Sequence, residues 1–396
     1  MHARALSLAP LLVLVATLLA GCEEKKAAAG AAASADAQTA TAETDEILFG
    51  EVSSLTGQEA TFGQSTRKGI ALAVKEINAK GGVLGKRIRV ITYDDQGKPT
   101  EAAAAATRLI VQDKVDVLIG EVASARSLAM APIAQANKVP MITHASTNPK
   151  VTEGKDYVFR ICFIDPFQGT VMARFARENL SLQKVAVLRD VRNDYSVGLA
   201  NFFVESFRRM GGEVVGDQSY SAQDIDFKAQ LTALRSLQPQ AIFVPGYYTD
   251  VGLIARQARE LGLNVPLLGG DGWDSAKLFE IGGDALQGSY FSNHYSLDDP
   301  SPRIRAFTTA YEKEYGEGVP DAMGALGYDA VYIAADAIRR AGSTDGDRIR
   351  DALAATKAFE GVTGSITIDD GRNAVKPAVV LKVENGKAVY AATVQP

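Results

Sequence analysis

Ile47-Leu48-Phe49-Gly50-Glu51-Val52 is a β-rich run, and a helical pattern follows it with Ile70, Val74 and Ile77 at i, i+4 and i+7. That pattern, expected from about Ser65, stops at Gly81-Gly82, and Arg87-Ile88-Arg89-Val90-Ile91-Thr92-Tyr93 is the next strand-like run. A helix between two strands lets them lie parallel, so this stretch decides the fold class. The unit then recurs. A helix begins at Pro99, a favoured first-turn residue, and runs to Ile110. Next come a strand over 115–119, a helix over 127–136 and a strand over 139–143. Near Asp165 the alternation restarts, with strands at 184–188, 213–215, 241–244 and 266–268. Helices near 170–180, 198–210, 227–237 and 251–261 separate them. Two such runs predict an α/β protein of two Rossmann-like lobes, each a mostly parallel sheet between helices. The tail adds helical patterns at 303–315, 325–340 and 348–355. It also adds strand-like runs at 364–368 and 377–383, the second followed by an Asn385-Gly386 hairpin turn.

A chain of 396 residues suits two such lobes with a core in each. Lys+Arg 42 against Asp+Glu 47 leaves a net charge of −5, so no basic surplus exists to neutralise phosphates and nucleic acid is not an expected partner. Two cysteines and three histidines rule out a disulfide scaffold and a Cys-rich zinc site. No metal or other cofactor is expected.

The N-terminus reads as an address. A polar start with His2 and Arg4 leads into an apolar run over 11–20, too short to span a bilayer, which ends in Leu19-Ala20-Gly21-Cys22. This is similar to the lipobox of bacterial lipoproteins, which implies removal of 1–22 as a signal peptide and acylation of Cys22 as the new N-terminus. Residues 23–44 are an Ala-rich tether without large apolar residues, expected to stay disordered. Cys162, inside a strand-like run over 157–163, is expected to be a buried, inert thiol.

Catalytic signatures are missing. Gly81-Gly82-Val83-Leu84-Gly85-Lys86-Arg87 follows a helix and lacks the distal glycine of a phosphate loop, and no G-x-S-x-G elbow occurs. His144 and His294 stand at unrelated spacing and read as satisfied surface or loop residues. Asp94-Asp95 and Asp298-Asp299 read as solvated turns.

What remains is polar residues at strand ends, where open α/β sheets bind ligands. Ser124 follows the strand over 115–119 and opens a helix. His144-Ala145-Ser146-Thr147-Asn148-Pro149 follows 139–143. In the second run, Gly246-Tyr247-Tyr248 follows 241–244 and Gly270-Asp271-Gly272-Trp273 follows 266–268. Hydroxyls and amides in one lobe suit an anion; an acid and aromatics in the other suit a cation. An amino acid zwitterion satisfies both.

These residues resemble the type I periplasmic substrate-binding proteins of ABC importers, in particular the branched-chain amino acid-binding group, over about Glu46 to Val389. The resemblance is carried by Ser54-Leu55-Thr56-Gly57, by Ala73-Val74-Lys75-Glu76-Ile77-Asn78-Ala79-Lys80-Gly81-Gly82-Val83, and by Tyr93-Asp94-Asp95. Val117-Leu118-Ile119-Gly120, Ser146-Thr147-Asn148-Pro149, Gly246-Tyr247-Tyr248 and Gly327-Tyr328-Asp329-Ala330 extend it in the same order. It implies two lobes joined by a three-crossover hinge with the ligand in the cleft between them. Lobe 1 then takes 45–165 plus 295–371, and lobe 2 takes 166–294 plus 372–396. It further implies that Ser124 and Thr147, with backbone groups of Ala145 and Thr147, hold a ligand carboxylate, and that Asp271 receives its ammonium. Tyr195 and Tyr247 match aromatic positions of lobe 2, and Phe62 matches a wall of the side-chain pocket. The branched-chain relatives carry Glu at the Asp271 position and Trp at the Phe62 position, so the pocket's depth differs here. Their lobe 1 disulfide is absent, with Gly97, Lys98 and Ala123 in that region. Glu121 and Arg126 read as solvated rim residues.

The resulting expectation is a lipid-anchored, extracytoplasmic, non-enzymatic solute-binding protein. It would act as a monomer and deliver an amino acid or related small polar ligand to an ABC permease. A sensory module working through a separate membrane partner, or an amide- or urea-type binding protein or hydrolase, are the alternatives.

Overall fold

The computed structural model describes residues 46–316 and 320–396. The signal peptide, the tether and Cys22 lie outside them. The first sheet contains β1 (Glu46–Ser53), β2 (Arg87–Asp94), β3 (Val117–Ile119), β4 (Met141–Thr143) and β5 (Val158–Arg160) in the order β2-β1-β3-β4-β5, all parallel. Every residue of β3, β4 and β5 is buried, as befits strands covered on both faces by crossover helices. The second sheet takes β6 (Lys184–Asp190), β7 (Glu213–Tyr220), β8 (Ala241–Phe243), β9 (Leu267–Gly269) and β10 (Tyr290–Asn293). A three-stranded antiparallel sheet follows, from β11 (Phe359–Gly361), β12 (Gly364–Ile368) and β13 (Ala374–Val375). The chain then returns to the second sheet with β14 (Ala378–Glu384) antiparallel to β10 and β15 (Lys387–Val394) antiparallel to β14, giving the order β15-β14-β10-β9-β8-β6-β7. The β14–β15 turn is Asn385-Gly386, with φ of 52° and 72°, the left-handed pair a two-residue hairpin requires.

Two lobes follow from this topology, and the chain passes between them three times: after β5, after β10 and after β13. Val375 is still paired in the small sheet, so the last crossing comes later than the expected boundary at 372. The helix Ala322–Ala341 belongs with the first sheet because it packs along Ala60–Ala79. The two helices come close enough that a Cβ on Gly69 would stand 1.9 Å from the Gly324 carbonyl oxygen, a gap only glycine tolerates.

The sequence reading differs from the structure mainly at helix starts. The first helix begins at Ala60, not near Ser65, because its first turn has no side-chain cap to announce it. The helix after β3 begins at Ser124, three residues before the expected 127. β10 and the short helix Ala276–Gly282 were not expected. Cys162 is fully buried and burial pushes its thiol up to about 12, so it stays protonated and inert.

Candidate functional site

The strand ends place the side chains. β3 leads through Gly120–Ala123 into the helix Ser124–Asn137, so Ser124 is the first residue of that helix and its N–H groups point towards the loop. Ser124 Oγ accepts a bond from the Asn148 N–H at 3.2 Å, which leaves its own proton to be donated. The loop after β4 carries Ala145 and Thr147, both buried. Thr147 Oγ1 is buried without a hydrogen-bond partner, and so are both oxygens of Asp165 nearby. Burial pushes the Asp165 carboxyl up to about 8.

In the other lobe, Tyr195 lies in the first turn of Asp194–Arg209, Tyr247 immediately precedes Tyr248–Glu260, and Asp271 follows β9. Asp271 is buried and meets three donors. Its Oδ1 accepts from Tyr195 Oη at 2.9 Å and from Gln168 Nε2 at 2.8 Å, and its Oδ2 meets His294 Nε2 at 3.0 Å. Burial, with the Asp271 charge adding to it, holds the Tyr195 phenol well above its usual range, so it remains a donor. Gly270 leaves space for this arrangement: a Cβ there would lie 2.4 Å from Tyr195 Oη and 2.9 Å from Gln168 Nε2.

Aromatic rings close the space. Tyr195 and Tyr247 stack at 5.3 Å, and Phe62 meets Tyr247 edge-on at 5.7 Å and Tyr248 at 4.8 Å. Phe62, Ala145, Tyr195, Tyr247 and Asp271 line one small, nearly filled cavity of about 10 Å³, together with Val122, Gly272 and Met323. Ser124 and Thr147 are buried but are not among the residues lining it. Larger cavities of about 640 and 550 Å³ lie on other faces, so size alone does not locate this site. The lobes touch across its mouth. Tyr248 Oη donates to the Gln58 carbonyl oxygen at 2.9 Å, Thr249 Oγ1 to the same oxygen at 3.1 Å, and Thr61 Oγ1 and Ser275 Oγ are 2.8 Å apart. This is a closed arrangement of the two lobes.

Residues 46–388 match the family model described as periplasmic binding protein. The chain belongs to the periplasmic binding protein family. It is 31% identical over 348 residues to the Leu/Ile/Val-binding protein homolog 3 of Brucella melitensis, an alignment that takes in 87% of this chain and 93% of that protein. Among solved structures it is similar to the leucine-binding protein LivK of Thermotoga maritima (45% identity, TM-score 0.85, 88% of this chain and 99% of that one). It is also similar to LivJ, a branched-chain amino acid transporter substrate-binding protein of Streptococcus pneumoniae, in complex with isoleucine (37% identity, TM-score 0.84, 89% and 100%).

Three sequence expectations for this periplasmic binding protein, covering five residues, need correction. His144 and His294 are not surface residues: both are buried, His144 Nε2 lying 3.0 Å from Thr66 Oγ1 and His294 lying against Asp271. Burial lowers His144 to about 4, so it is neutral at ordinary pH. Asp95 is no solvated turn; it is fully buried and burial, with the Glu121 charge, raises it to about 7. Glu121 and Arg126 are not rim residues. Glu121 is fully buried and accepts from the N–H groups of Ser54 (3.1 Å) and Ala123 (2.6 Å) and from Arg126 Nε (2.8 Å). Arg126 Nη1 donates in turn to Glu59 at 2.7 Å. The network ties the Ser54 loop to the start of the helix that carries Ser124.

Gln168 and His294 were missed as site residues. Gln168 lies on the helix Asp165–Arg174 after the first crossing, where nothing in the sequence distinguishes it from a packing residue. His294 carried a usable signal. It stands at the carboxyl end of β10, as Asp271 stands beyond β9, and recognising that strand would have drawn attention to it.

Proposed function

We propose that this periplasmic binding protein captures an α-amino acid with an apolar side chain in the cleft between its lobes. The observation that carries the reading is the pairing of opposites there. Asp271, a buried carboxylate on lobe 2, suits an ammonium; on lobe 1 the hydroxyls of Ser124, at a helix N-terminus, and of Thr147, in the loop after β4, suit a carboxylate. Charged groups taken out of water need such partners, and charge-assisted hydrogen bonds in a dry cleft are strong. Phe62, Tyr195 and Tyr247 then face the ligand's side chain, and Ala145 adds its backbone. The relatives named for leucine, isoleucine and valine support a branched-chain ligand.

A thermal-shift screen across amino acids, amides, urea and short peptides tests this. A ligand present at a hundred times its dissociation constant stabilises the folded state by about 2.7 kcal/mol. We expect branched-chain amino acids to raise the melting temperature, and urea and simple amides to leave it unchanged. The opposite pattern would remove the amino acid reading.

Delivery to an ABC permease, action as a monomer, and closure of the two lobes on each other complete the proposal. The family's role in import supports the first. Acylation at Cys22 would tether the protein to a membrane surface, since two or more acyl chains anchor stably; among the described residues no helix is long and apolar enough to cross one. Cys22→Ser is expected to move the protein from the membrane fraction to the soluble one. Retention of that variant in membranes after a high-salt wash would exclude the lipid anchor.

A further inference from the structure

We propose that His294 is a positioning residue for the ligand's ammonium, donating its Nε2–H to Asp271 so that the carboxylate is oriented without its charge being cancelled. The inference rests on the amino acid reading of the cleft. It begins with the donors around Asp271. Two of them, Tyr195 Oη and Gln168 Nε2, are neutral and share Oδ1. His294 alone holds Oδ2. A carboxylate can only accept, so Nε2 must carry the proton at this contact, and Nδ1, buried with no partner, carries the lone pair.

The ring is fixed from the other side as well. It stacks on Phe163 with centroids 3.9 Å apart and planes 20° from parallel. Phe163 lies on the first crossing between the lobes and His294 opens the second, so the imidazole is clamped where two crossings meet beneath Asp271. Gln168 Nε2 also donates to Ser292 Oγ at 2.9 Å, tying the same carboxylate to β10.

Charge decides what this clamp does. The His294 side chain is fully buried, and burial lowers its pKa below the ordinary 6.5, while Asp271 acts in the opposite direction. The Lys376 ammonium, on the third crossing, opposes a second positive charge there, and neutral His144 faces it from the end of β4. Asp165 and Cys162, on the first crossing, are acids that face Asp271, and the buried Arg160 guanidinium at the end of β5 faces both of them. An imidazolium would compensate Asp271 and repel the ligand's ammonium. A neutral imidazole gives direction and leaves the charge for the ligand.

Calorimetric titration with L-leucine between about pH 8 and about pH 5, on the wild type, His294→Gln and His294→Phe, reads this out. Loss of a hydrogen bond to a charged group corresponds to about tenfold to about 150-fold in affinity, the loss expected for His294→Phe near neutral pH. His294→Gln keeps an N–H donor and cannot titrate, so it should bind within about threefold of the wild type there. Any loss of wild-type affinity that comes from His294 protonation should set in only below the ordinary 6.5, since burial lowers that group, and should be smaller in His294→Gln. Wild-type binding by His294→Phe, or an acid loss undiminished in His294→Gln, would overturn the proposal. Imidazole nitrogen chemical shifts of the unliganded protein supply a readout that needs no ligand, with the His294 signal assigned by its absence from the Gln variant. An Nε2–H neutral ring at neutral pH supports the proposal; an Nδ1–H ring or an imidazolium overturns it. Failure of every amino acid to bind would instead overturn the reading of the cleft, and the shifts would still decide the state of His294.

Discussion

Asp271→Asn is expected to weaken amino acid binding by about 2–5 kcal/mol, the range for truncating one partner of a buried charged pair. That is about 30-fold to about 4,000-fold in dissociation constant. The size follows from what surrounds the group. Asp271 is buried, and its hydrogen-bond partners Tyr195, Gln168 and the neutral His294 orient it without supplying a counter-charge. Asn preserves the shape. Its oxygen can still accept from Tyr195 and Gln168, and its amide can face His294 once that ring shifts its proton to Nδ1. That proton would be buried without a partner, so the unliganded protein is expected to lose about 1–3 kcal/mol of stability. Titration calorimetry on the folded variant separates this from a turn residue, which would tolerate Asn with affinity within about twofold of the wild type.

Arg126→Met should cost about 3–5 kcal/mol of folding stability, because it leaves buried acids without their cation. Glu121 and Asp95 are both fully buried, with Arg126 Nε 2.8 Å from the first and 3.9 Å from the second, and Glu59 is held by the same guanidinium. Methionine fills much of the volume, so the loss reports the charge and not a cavity. Urea unfolding of both proteins gives the number. A loss below about 1 kcal/mol is what an exposed ion pair contributes and would return Arg126 to the rim. Because Glu121 holds the Ala123 N–H next to Ser124, ligand affinity should also fall in the variant that remains folded.

The fold was legible because its period is local. Parallel strands buried on both faces appear as short apolar runs, and the helices between them carry their own repeat, as at Ile70, Val74 and Ile77. The lobe 2 aromatics and Asp271 were legible for a related reason: they sit where strands end, and strand ends can be counted from the sequence. Burial of charge was not legible. Glu121, Arg126 and Asp95 come together from the end of β2, the loop after β3 and the following helix, and nothing local distinguishes such residues from solvated ones. His294 was lost with β10, whose four residues Tyr290–Asn293 are too few for a period to register. Gln168 acquires its role only through Asp271, about a hundred residues further along the chain.

The central claim is that the closed cleft grips both ends of a zwitterion. Leucine, its deaminated analogue isocaproate and its decarboxylated analogue isoamylamine share a side chain and differ only in those ends. Titrating the wild-type protein with all three, in one buffer at neutral pH, measures each end separately. The account predicts that leucine binds, and that each analogue binds weaker by at least about 30-fold, since each leaves one buried partner, Asp271 or the Ser124–Thr147 hydroxyls, without its counter-charge. Isocaproate binding as tightly as leucine would contradict it.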